Sequence, residues 1–448
     1  MKTKNYSRRR FISTSAAATS AFALSRTSYS NIIGANDRLR FALVGCGGRG
    51  RVVAHNMIKE GGELVALCDL DPSMLDRAVD QLETAQQHKP FLYEHINRVL
   101  ENKEIDAVLI ATPDHWHAAL TVLACQAGKD VYLEKPHAHN IWEGQQLMKA
   151  EKRYGRIIQI GTQTRSSAYM SAAREYVRSG QLGDVHLVKV YNLKSGDPFF
   201  LGDPGKKPDG FDWNEWQGAA TTRSYHKNIH RWGWHRFWDY CGGDVTDDGC
   251  HQMDLACMVM DEPGMPISVS TSGGRIAHRG DDAQVPDLLE VTYEYPDFLM
   301  TFEQSNYPKY MRKTSNDIRR KDELPYWTHN STRIELYGSE MMMTIGRQGG
   351  GWVVSRLGGR VVEKMYGRPG DQPHCRNFID CVKDRKQPNA SLEWLHPSVS
   401  ILMLANIAHR VGNKKLWLNP GEQTFKDAAD ANSLLKREYR KGFEFPSV

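Results

Sequence analysis

Leu39-Arg40-Phe41-Ala42-Leu43-Val44-Gly45-Cys46-Gly47-Gly48-Arg49-Gly50 is the stretch that decides how this chain folds. Its first half suits a short apolar strand. Gly45, Gly47 and Gly50 then make a turn, and Val52, Val53, Met57 and Ile58 recur at helical spacing. Leu64–Cys68 is the next strand and ends at Asp69, about 20 residues beyond Gly50. A lone GxGxxG is weak, because glycines gather in many turns. Inside a strand–turn–helix–strand unit of about 30 residues, closed by an acid, it is the fingerprint of a dinucleotide site. The glycines let the backbone approach a pyrophosphate at the helix N-terminus. Asp69 is expected to accept hydrogen bonds from the adenosine ribose, and its charge favours NAD over a nucleotide with a 2′-phosphate. Arg49 either touches the pyrophosphate or lies on the surface.

The alternation continues outward from this unit. Asp71-Pro72-Ser73 opens a helix reaching about Gln87, and Ala107–Ala111 is a buried-type strand. Asp114 starts another helix, and Asp130–Leu133 is a strand ending at Glu134-Lys135-Pro136. This pattern implies a Rossmann fold, a doubly wound parallel sheet with right-handed crossovers. From about Gln163 the texture changes. Trp, Tyr and His become dense between Phe199 and Trp238, and strand-like runs appear near Val185–Leu193, Leu288–Tyr295, Phe298–Glu303 and Arg333–Tyr337. The expected fold is α/β: an N-terminal Rossmann domain over 31–162 and a C-terminal α/β domain over 163–448 with a large open, mostly antiparallel sheet.

The 448 residues are too many for one ordinary core, which also argues for two domains. A composition of 40% hydrophobic and 25% charged residues excludes a disordered chain. No apolar run reaches the ~18 residues of a transmembrane helix. The formal net charge of +5 comes from residues 1–30, which carry Lys2, Lys4, Arg8, Arg9, Arg10 and Arg26 and no acid. Without those six the balance is −1, which gives no sign of a polyanionic partner such as nucleic acid. Ser7-Arg8-Arg9-Arg10-Phe11-Ile12, the weakly apolar stretch Ala16 to Leu24 and the small residues Ser28 and Ser30 resemble a bacterial Tat signal peptide. The protein is therefore expected to be exported to the periplasm. The eight cysteines show no CxxC spacing and are read mostly as small buried residues.

Thr112-Pro113-Asp114-His115-Trp116-His117 and Glu134-Lys135-Pro136 resemble motifs of the Gfo/Idh/MocA oxidoreductases, the relatives of glucose–fructose oxidoreductase and inositol dehydrogenase. The likeness covers nearly all of the chain after Leu39, and Glu-Lys-Pro is its most specific part. It implies that Lys135 lies beside the nicotinamide and the substrate hydroxyl, with Thr112, Pro113, His117 and Glu134 on the cofactor side. It also implies an Asp and a His four residues apart on a second-domain helix, matched here by Asp247 and His251. A register one residue later puts Asp248 in place of Asp247. Gly161–Arg165 follows the sixth strand and, by the same resemblance, borders the nicotinamide; Gln163 is a cofactor candidate and Arg165 a substrate candidate. A homo-oligomer built on an exposed face of the second sheet is a further implication.

Residues i and i+4 share a helix face, so Asp247 and His251 can point into one cleft. Asp254 on the same helix is read as structural. Trp213, Trp216 and the run Tyr225 to Trp238 are candidates for stacking on a sugar ring, with Tyr225, Trp232 and His235 as substrate residues; the alternative for each is core packing. No metal site is suggested by spacing.

Oxidising a secondary alcohol moves a hydride to NAD and a proton to a base. His251 is the natural base, and Lys135 stabilises the developing alkoxide. Asp247 either fixes a ring nitrogen of His251 or holds a second hydroxyl. The expected substrate is a sugar, glycoside or polyol, with C3 one candidate carbon, giving a 3-keto sugar. Outside the cytoplasm there is no obvious NAD pool, so the cofactor is expected to be tightly bound and recycled. The alternatives are an NAD-dependent glycosidase using transient oxidation and elimination, and a non-catalytic sugar- or nucleotide-binding protein. The Glu-Lys-Pro motif resembles the oxidoreductase branch more than the glycosidase branch.

Residues 1–30 fused to a folded reporter are expected to export it by the Tat route. Replacing Arg8 and Arg9 by Lys, or Arg9 and Arg10 to cover the other register, should retain the reporter in the cytoplasm on fractionation. Export that survives both double changes refutes the signal.

Overall fold

Two sheets, one parallel and one mostly antiparallel, organise the chain. The structure is a computed structural model and describes residues 38–448 apart from Gln87; the signal read at 1–30 lies outside the described residues. β1 (Arg40–Val44), β2 (Glu63–Cys68), β3 (Phe91–Tyr93), β4 (Ala107–Ile110), β5 (Asp130–Leu133) and β6 (Ile158–Ile160) pair in parallel in the order β3-β2-β1-β4-β5-β6. β4, β5 and β6 are buried at every residue, which is why they carry near-continuous apolar runs. The edge strand β3 has only three residues, with Phe91 and Leu92 exposed, and was not singled out from the sequence.

Helices cross between these strands. Gly48–Lys59 follows β1. Pro72–Leu82 follows β2, with the Asp71 side chain accepting from the Ser73 N–H and Pro72 at its first position. It stops sooner than expected and gives way to a 3-10 turn, Glu83–Ala85. Asp114–Gln126 follows β4, starting where the sequence placed it. The strand order reverses between β1 and β4, so the loops after these two strands part and leave a crevice at their C-terminal ends.

The second sheet contains β7 (Val185–Leu193), β8 (Ser268–Gly274), β9 (Leu288–Glu294), β10 (Leu299–Ser305), β11 (Arg333–Gly338), β12 (Met342–Gly346), β13 (Trp352–Arg356), β14 (Arg360–Met365), β15 (Leu416–Asn419) and β16 (Thr424–Phe425). Their order is β14-β13-β12-β11-β7-β10-β9-β8-β15-β16. The β7–β10 pair is parallel and the other pairs are antiparallel. β9 and β10 alternate buried and less buried residues, the mark of a sheet with one covered face. Val188, Val190, Leu289, Val291, Met300 and Phe302 lie on the covered side. Helices Gly249–Val259, Ala168–Arg178 and Leu392–Arg410 belong to the same core. Gly249–Val259 is buried at every position, so it shows none of the amphipathic period that marks a surface helix.

The chain does not stay with the second sheet. Helix Asp371–Asp384 returns to pack on Gly48–Lys59 and on the 3-10 turn Gln163–Ser166. His374 Nε2 meets the Ile160 carbonyl at 2.9 Å, and Gln159 Nε2 donates to the His374 carbonyl at 2.9 Å. Further on, the Tyr439 hydroxyl donates to Glu143 at 2.8 Å. Arg40–Val448 accordingly forms one compact unit. All eight cysteines are free and buried. Among the described residues no helix is long and apolar enough to cross a membrane.

Arg165, expected at the substrate, points elsewhere. Its Nε donates to Asp254 at 2.8 Å and its Nη1 to Glu262 at 2.9 Å, with the side chain 3% exposed. The turn that carries it faces the buried helix Gly249–Val259, where two carboxylates need a counter-charge. Asp254 is thus the structural acid the sequence suggested. Replacing Arg165 by Leu leaves Asp254 and Glu262 without their cation and is expected to cost about 3–5 kcal/mol of stability. Urea denaturation measures this; a midpoint equal to that of the unchanged protein overturns the assignment.

Candidate active site

The crevice between β1 and β4 opens into a cavity of about 670 Å³. At one end Gly45 has φ +89°, and a Cβ there would stand 2.6 Å from the Ala111 carbonyl. A Cβ on Gly50 would collide with the Gly45 carbonyl. Gly45 therefore makes the turn and Gly50 lets the helix pack against the strand; Gly50 does not line the cavity. Gly47 and Gly48 do, and nothing lies within 4 Å of where their Cβ atoms would be. The helix behind them starts without a side-chain cap, so its first N–H groups remain for a phosphate.

Asp69 stands in the cavity wall at the end of β2 and accepts from the backbone N–H of Cys46 at 2.7 Å and of Asp71 at 2.9 Å. Burial pushes its pKa up to about 6, against the pull of those two bonds. Glu94, His95 and Ile96, beyond β3, line the same end and were not singled out from the sequence. They sit past the C-terminal end of a strand, where ligands of such sheets bind.

Thr112, Pro113, His117, Glu134 and Gln163 all line the cavity. His117 spans two carbonyls, with Nδ1 2.6 Å from that of Pro136 and Nε2 2.8 Å from that of Thr112. It thereby ties the two motifs together. Glu134 accepts from Arg49 Nε at 2.8 Å and from Gln163 Nε2 at 3.2 Å, while Arg49 Nη1 donates to Asp371 at 3.2 Å. Arg49 is therefore neither a free surface residue nor held by phosphate alone. Buried atoms without a partner include Arg49 Nη2 and Thr112 Oγ1. Few buried polar groups in proteins stay unpaired. These atoms, the open glycine cradle and the Asp69 carboxylate fit a dinucleotide.

At the other end the Lys135 amine pairs with the Asp247 carboxylate and also donates to the Asp247 carbonyl at 3.1 Å. Burial works against the Lys135 ammonium, but the negative charges around it, Asp247 foremost, outweigh burial and hold the amine above its ordinary value. Burial likewise opposes the Asp247 carboxylate, and Lys135, then His235 and Lys194, pull it well below the usual range. His251 lies in the same wall. Burial, with Arg347 and Lys135 nearby, depresses its pKa well below 6.5, so the imidazole is neutral at pH 7.

Asp247 sits between helices Gly243–Thr246 and Gly249–Val259, not on one continuous helix with His251. The backbone at 247 and 248 stays right-handed, so both side chains still reach the cavity. A bond from Asp247 to a His251 ring nitrogen, one of the two roles open to Asp247, is absent. Asp247 turns to Lys135 and faces His235 Nε2 at 3.8 Å. Asp248, the other register, is held by Arg347 at 2.8 Å and Lys313 at 2.9 Å.

Trp232, Trp234 and His235 line the cavity, as does Trp216; Tyr225 and Trp213 do not. Tyr225 is buried against Phe211 and Trp213, a correction with a simple cause: the surrounding aromatics offer its ring more contact than the cavity does. At this reactive end, Asp114 and Arg347 also line the cavity and were missed as site residues. Asp114 was read only as a helix start. Buried beside the charge of Asp247, it has its pKa pushed up to about 8, and its Oδ2 has no partner. Arg347 comes from the loop between β12 and β13, and no local pattern marks it. Among the described residues no group of His, Cys, Asp or Glu is arranged to hold a metal ion.

Comparison with known proteins fits this geometry. Residues 39–162 match the family model described as "Oxidoreductase family, NAD-binding Rossmann fold". Residues 170–344 match the GFO/IDH/MocA C-terminal domain, and 359–445 the "Oxidoreductase family, C-terminal alpha/beta domain". A "Glycosyl hydrolase family 109 protein" of Stenotrophomonas maltophilia is 31% identical over 238 residues, 49% of this chain and 51% of the relative. An "Uncharacterized oxidoreductase" of Streptococcus pneumoniae is 23% identical over 258 residues, 57% of this chain and 59% of that protein. The chain thus spans little more than half the length of these curated relatives. The WlbA dehydrogenase of Bordetella pertussis, solved with NADH and UDP-GlcNAcA, superposes with a TM-score of 0.62 at 18% identity, over 85% of this chain and 99% of that one. The aldose-aldose oxidoreductase of Caulobacter crescentus, solved with glycerol, gives 0.62 at 19%, over 85% and 100%. At such identities the likeness speaks to the fold.

The Asp69 carboxylate must be ionised to accept from both ribose hydroxyls. NAD affinity of the apoprotein is therefore expected to rise with pH through about 6 and to exceed NADP affinity at pH 7 and above. Asp69→Asn should flatten the pH dependence and narrow the gap between the nucleotides. Calorimetric titrations from pH 5 to 8 check this; an NAD affinity independent of pH overturns it.

Proposed function

The chain belongs to the GFO/IDH/MocA oxidoreductase family, and from that premise we propose that it oxidises a secondary hydroxyl of a sugar, glycoside or polyol with NAD held in the cavity. One observation carries the reading: a charged Lys135, locked to Asp247, shares the cavity with the neutral imidazole of His251. When bound, the nicotinamide supplies the hydride acceptor and, once reduced, the hydride donor. The backbone at Gly47 and Gly48 and the Asp69 carboxylate hold the nucleotide. Lys135 donates to the substrate oxygen and stabilises the charge that grows there as its proton leaves. His251 takes that proton at its free ring nitrogen. An imidazolium beside Arg347 and Lys135 is disfavoured, so the proton is readily returned.

That reversibility suits an exported protein. With residues 1–30 as a Tat signal, the enzyme works away from the cytoplasmic NAD pool and recycles its cofactor in place, the hydride and proton taken from one sugar passing to the carbonyl of a second. A second reading, a glycosidase acting by transient oxidation, elimination and reduction, is favoured by the relatives named glycosyl hydrolase family 109. Product analysis separates the two: net oxidation yields a keto sugar, the glycosidase a released aglycone with no net change in nucleotide.

Lys135→Ala is expected to slow single-turnover reduction of bound NAD at least roughly 10²–10³-fold, and His251→Ala roughly 10²–10⁴-fold. NAD affinity should change little in the His251 variant. If that variant keeps a near-normal rate and only binds sugar more weakly, the base lies elsewhere. If the unchanged protein binds sugars but reduces NAD with none, it is a binding protein.

A further inference from the structure

The loop that brings Trp232, Trp234 and His235 to the cavity is built rigidly. Gly233 packs so closely on Phe199 that a Cβ there would collide with the ring. The Trp232 carbonyl lies 2.8 Å from His235 Nδ1. The His235 ring lies on Trp234, with centroids 3.5 Å apart and planes 23° apart, and nearly parallel to Trp232, at 6.1 Å and 18°. The carbonyl keeps the proton on Nδ1, which leaves Nε2 as an acceptor. That nitrogen faces Asp247 Oδ2 at 3.8 Å, too far for a direct hydrogen bond, and each of the two acceptors is left to take the proton of a separate substrate hydroxyl. Trp232 itself is 77% exposed although it lines the same cavity as Lys135.

We propose that Trp232, Trp234 and His235 form an outer subsite for the second ring of a glycoside, so that the enzyme prefers glycosides to free monosaccharides. The inference rests on the proposed oxidation, which places the reacting ring at Lys135 and Asp247. His235 then stands at the border of that ring, and Trp232 lies one aromatic ring further out. A monosaccharide held at Lys135 leaves the indole bare, whereas the next ring of a glycoside covers it with its apolar C–H face. Because the platform is already ordered, little freedom is lost when a ring settles on it. Arg231, next to Trp232 in the chain, also lines the cavity and supplies a polar partner for that ring's hydroxyls.

The test compares cellobiose, maltose and lactose with glucose and galactose, on protein purified with its nucleotide. Trp232→Ala is expected to raise KM about 3- to 10-fold for the preferred disaccharide, leave kcat unchanged, and leave the monosaccharide constants where they were; Trp232→Phe should restore most of the loss. Quenching of tryptophan fluorescence reads disaccharide binding without any hydride transfer. Disaccharide binding that depends on Trp232, with no reduction of NAD, sinks the oxidation and leaves the subsite standing. Equal losses for monosaccharide and disaccharide, or no preference for disaccharides in the unchanged protein, overturn the subsite. So does a Trp232→Ala protein that sediments as a smaller species and keeps its preference, since Trp232 is then an interface between copies.

Discussion

The ion pair of Lys135 and Asp247 holds the site together. Lys135 lies just beyond the end of a strand of the parallel sheet, and Asp247 lies at the junction of two helices packed in the core of the other sheet. Both side chains are largely buried, and neither charge would be tolerated alone. The pair fixes the electrostatics around it. It keeps the amine charged where a developing alkoxide needs a cation. Burial, with the Asp247 charge close by, outweighs the opposing pull of Lys135, so the nearby Asp114 stays protonated at neutral pH. Burial first, then Arg347 and Lys135, keep His251 neutral. One contact between the two halves thus bears on the protonation of two neighbouring groups.

A second layer of charges keeps that contact in place. Residues 243–248 bring Asp244, Asp247 and Asp248 into a space with little water. Asp244 is held by Lys194 at 2.6 Å, by Arg236 at 3.0 Å and by Asn306 Nδ2 at 2.7 Å. Asp248 is held by Arg347 and Lys313. These cations come from the end of β7, from the loop before helix Gly243–Thr246 and from loops around β11 and β12. Removing any one leaves a buried carboxylate short of a partner, so the segment that carries Asp247 is pinned from several sides. Such pinning supplies the preorganisation on which electrostatic stabilisation of a transition state depends.

The cavity joins two kinds of recognition. Its nucleotide end is mostly backbone: a glycine turn, a free helix N-terminus and one carboxylate. Its reactive end is mostly side chains, charged near Lys135 and aromatic toward the mouth. A backbone cradle suits a pyrophosphate, whose charge is spread over many oxygens. Fixed charges and flat rings suit a polyhydroxylated substrate, where one of several similar hydroxyls must be chosen.

Local sequence determined the parallel sheet and the nucleotide end. A glycine turn between an apolar strand and a helix, closed by Asp69, is governed by backbone sterics over a few dozen residues. That Lys135, Asp247 and His251 share one cavity was legible only through the family resemblance carried by the Glu-Lys-Pro motif; the spacing of four by itself said no more than that Asp247 and His251 can face one cleft. Where the side chains of the turns and loops after the sixth strand point was decided by tertiary structure alone. Arg165 left the cavity for Asp254 and Glu262, and Tyr225 went into an aromatic cluster. Asp247 turned to Lys135 instead of His251, and Arg347 arrived from a loop a hundred residues from the acid it pairs with. In each case a buried charge or ring took the partner that long-range packing brought nearest, and that neighbour cannot be read from residues adjacent in the chain.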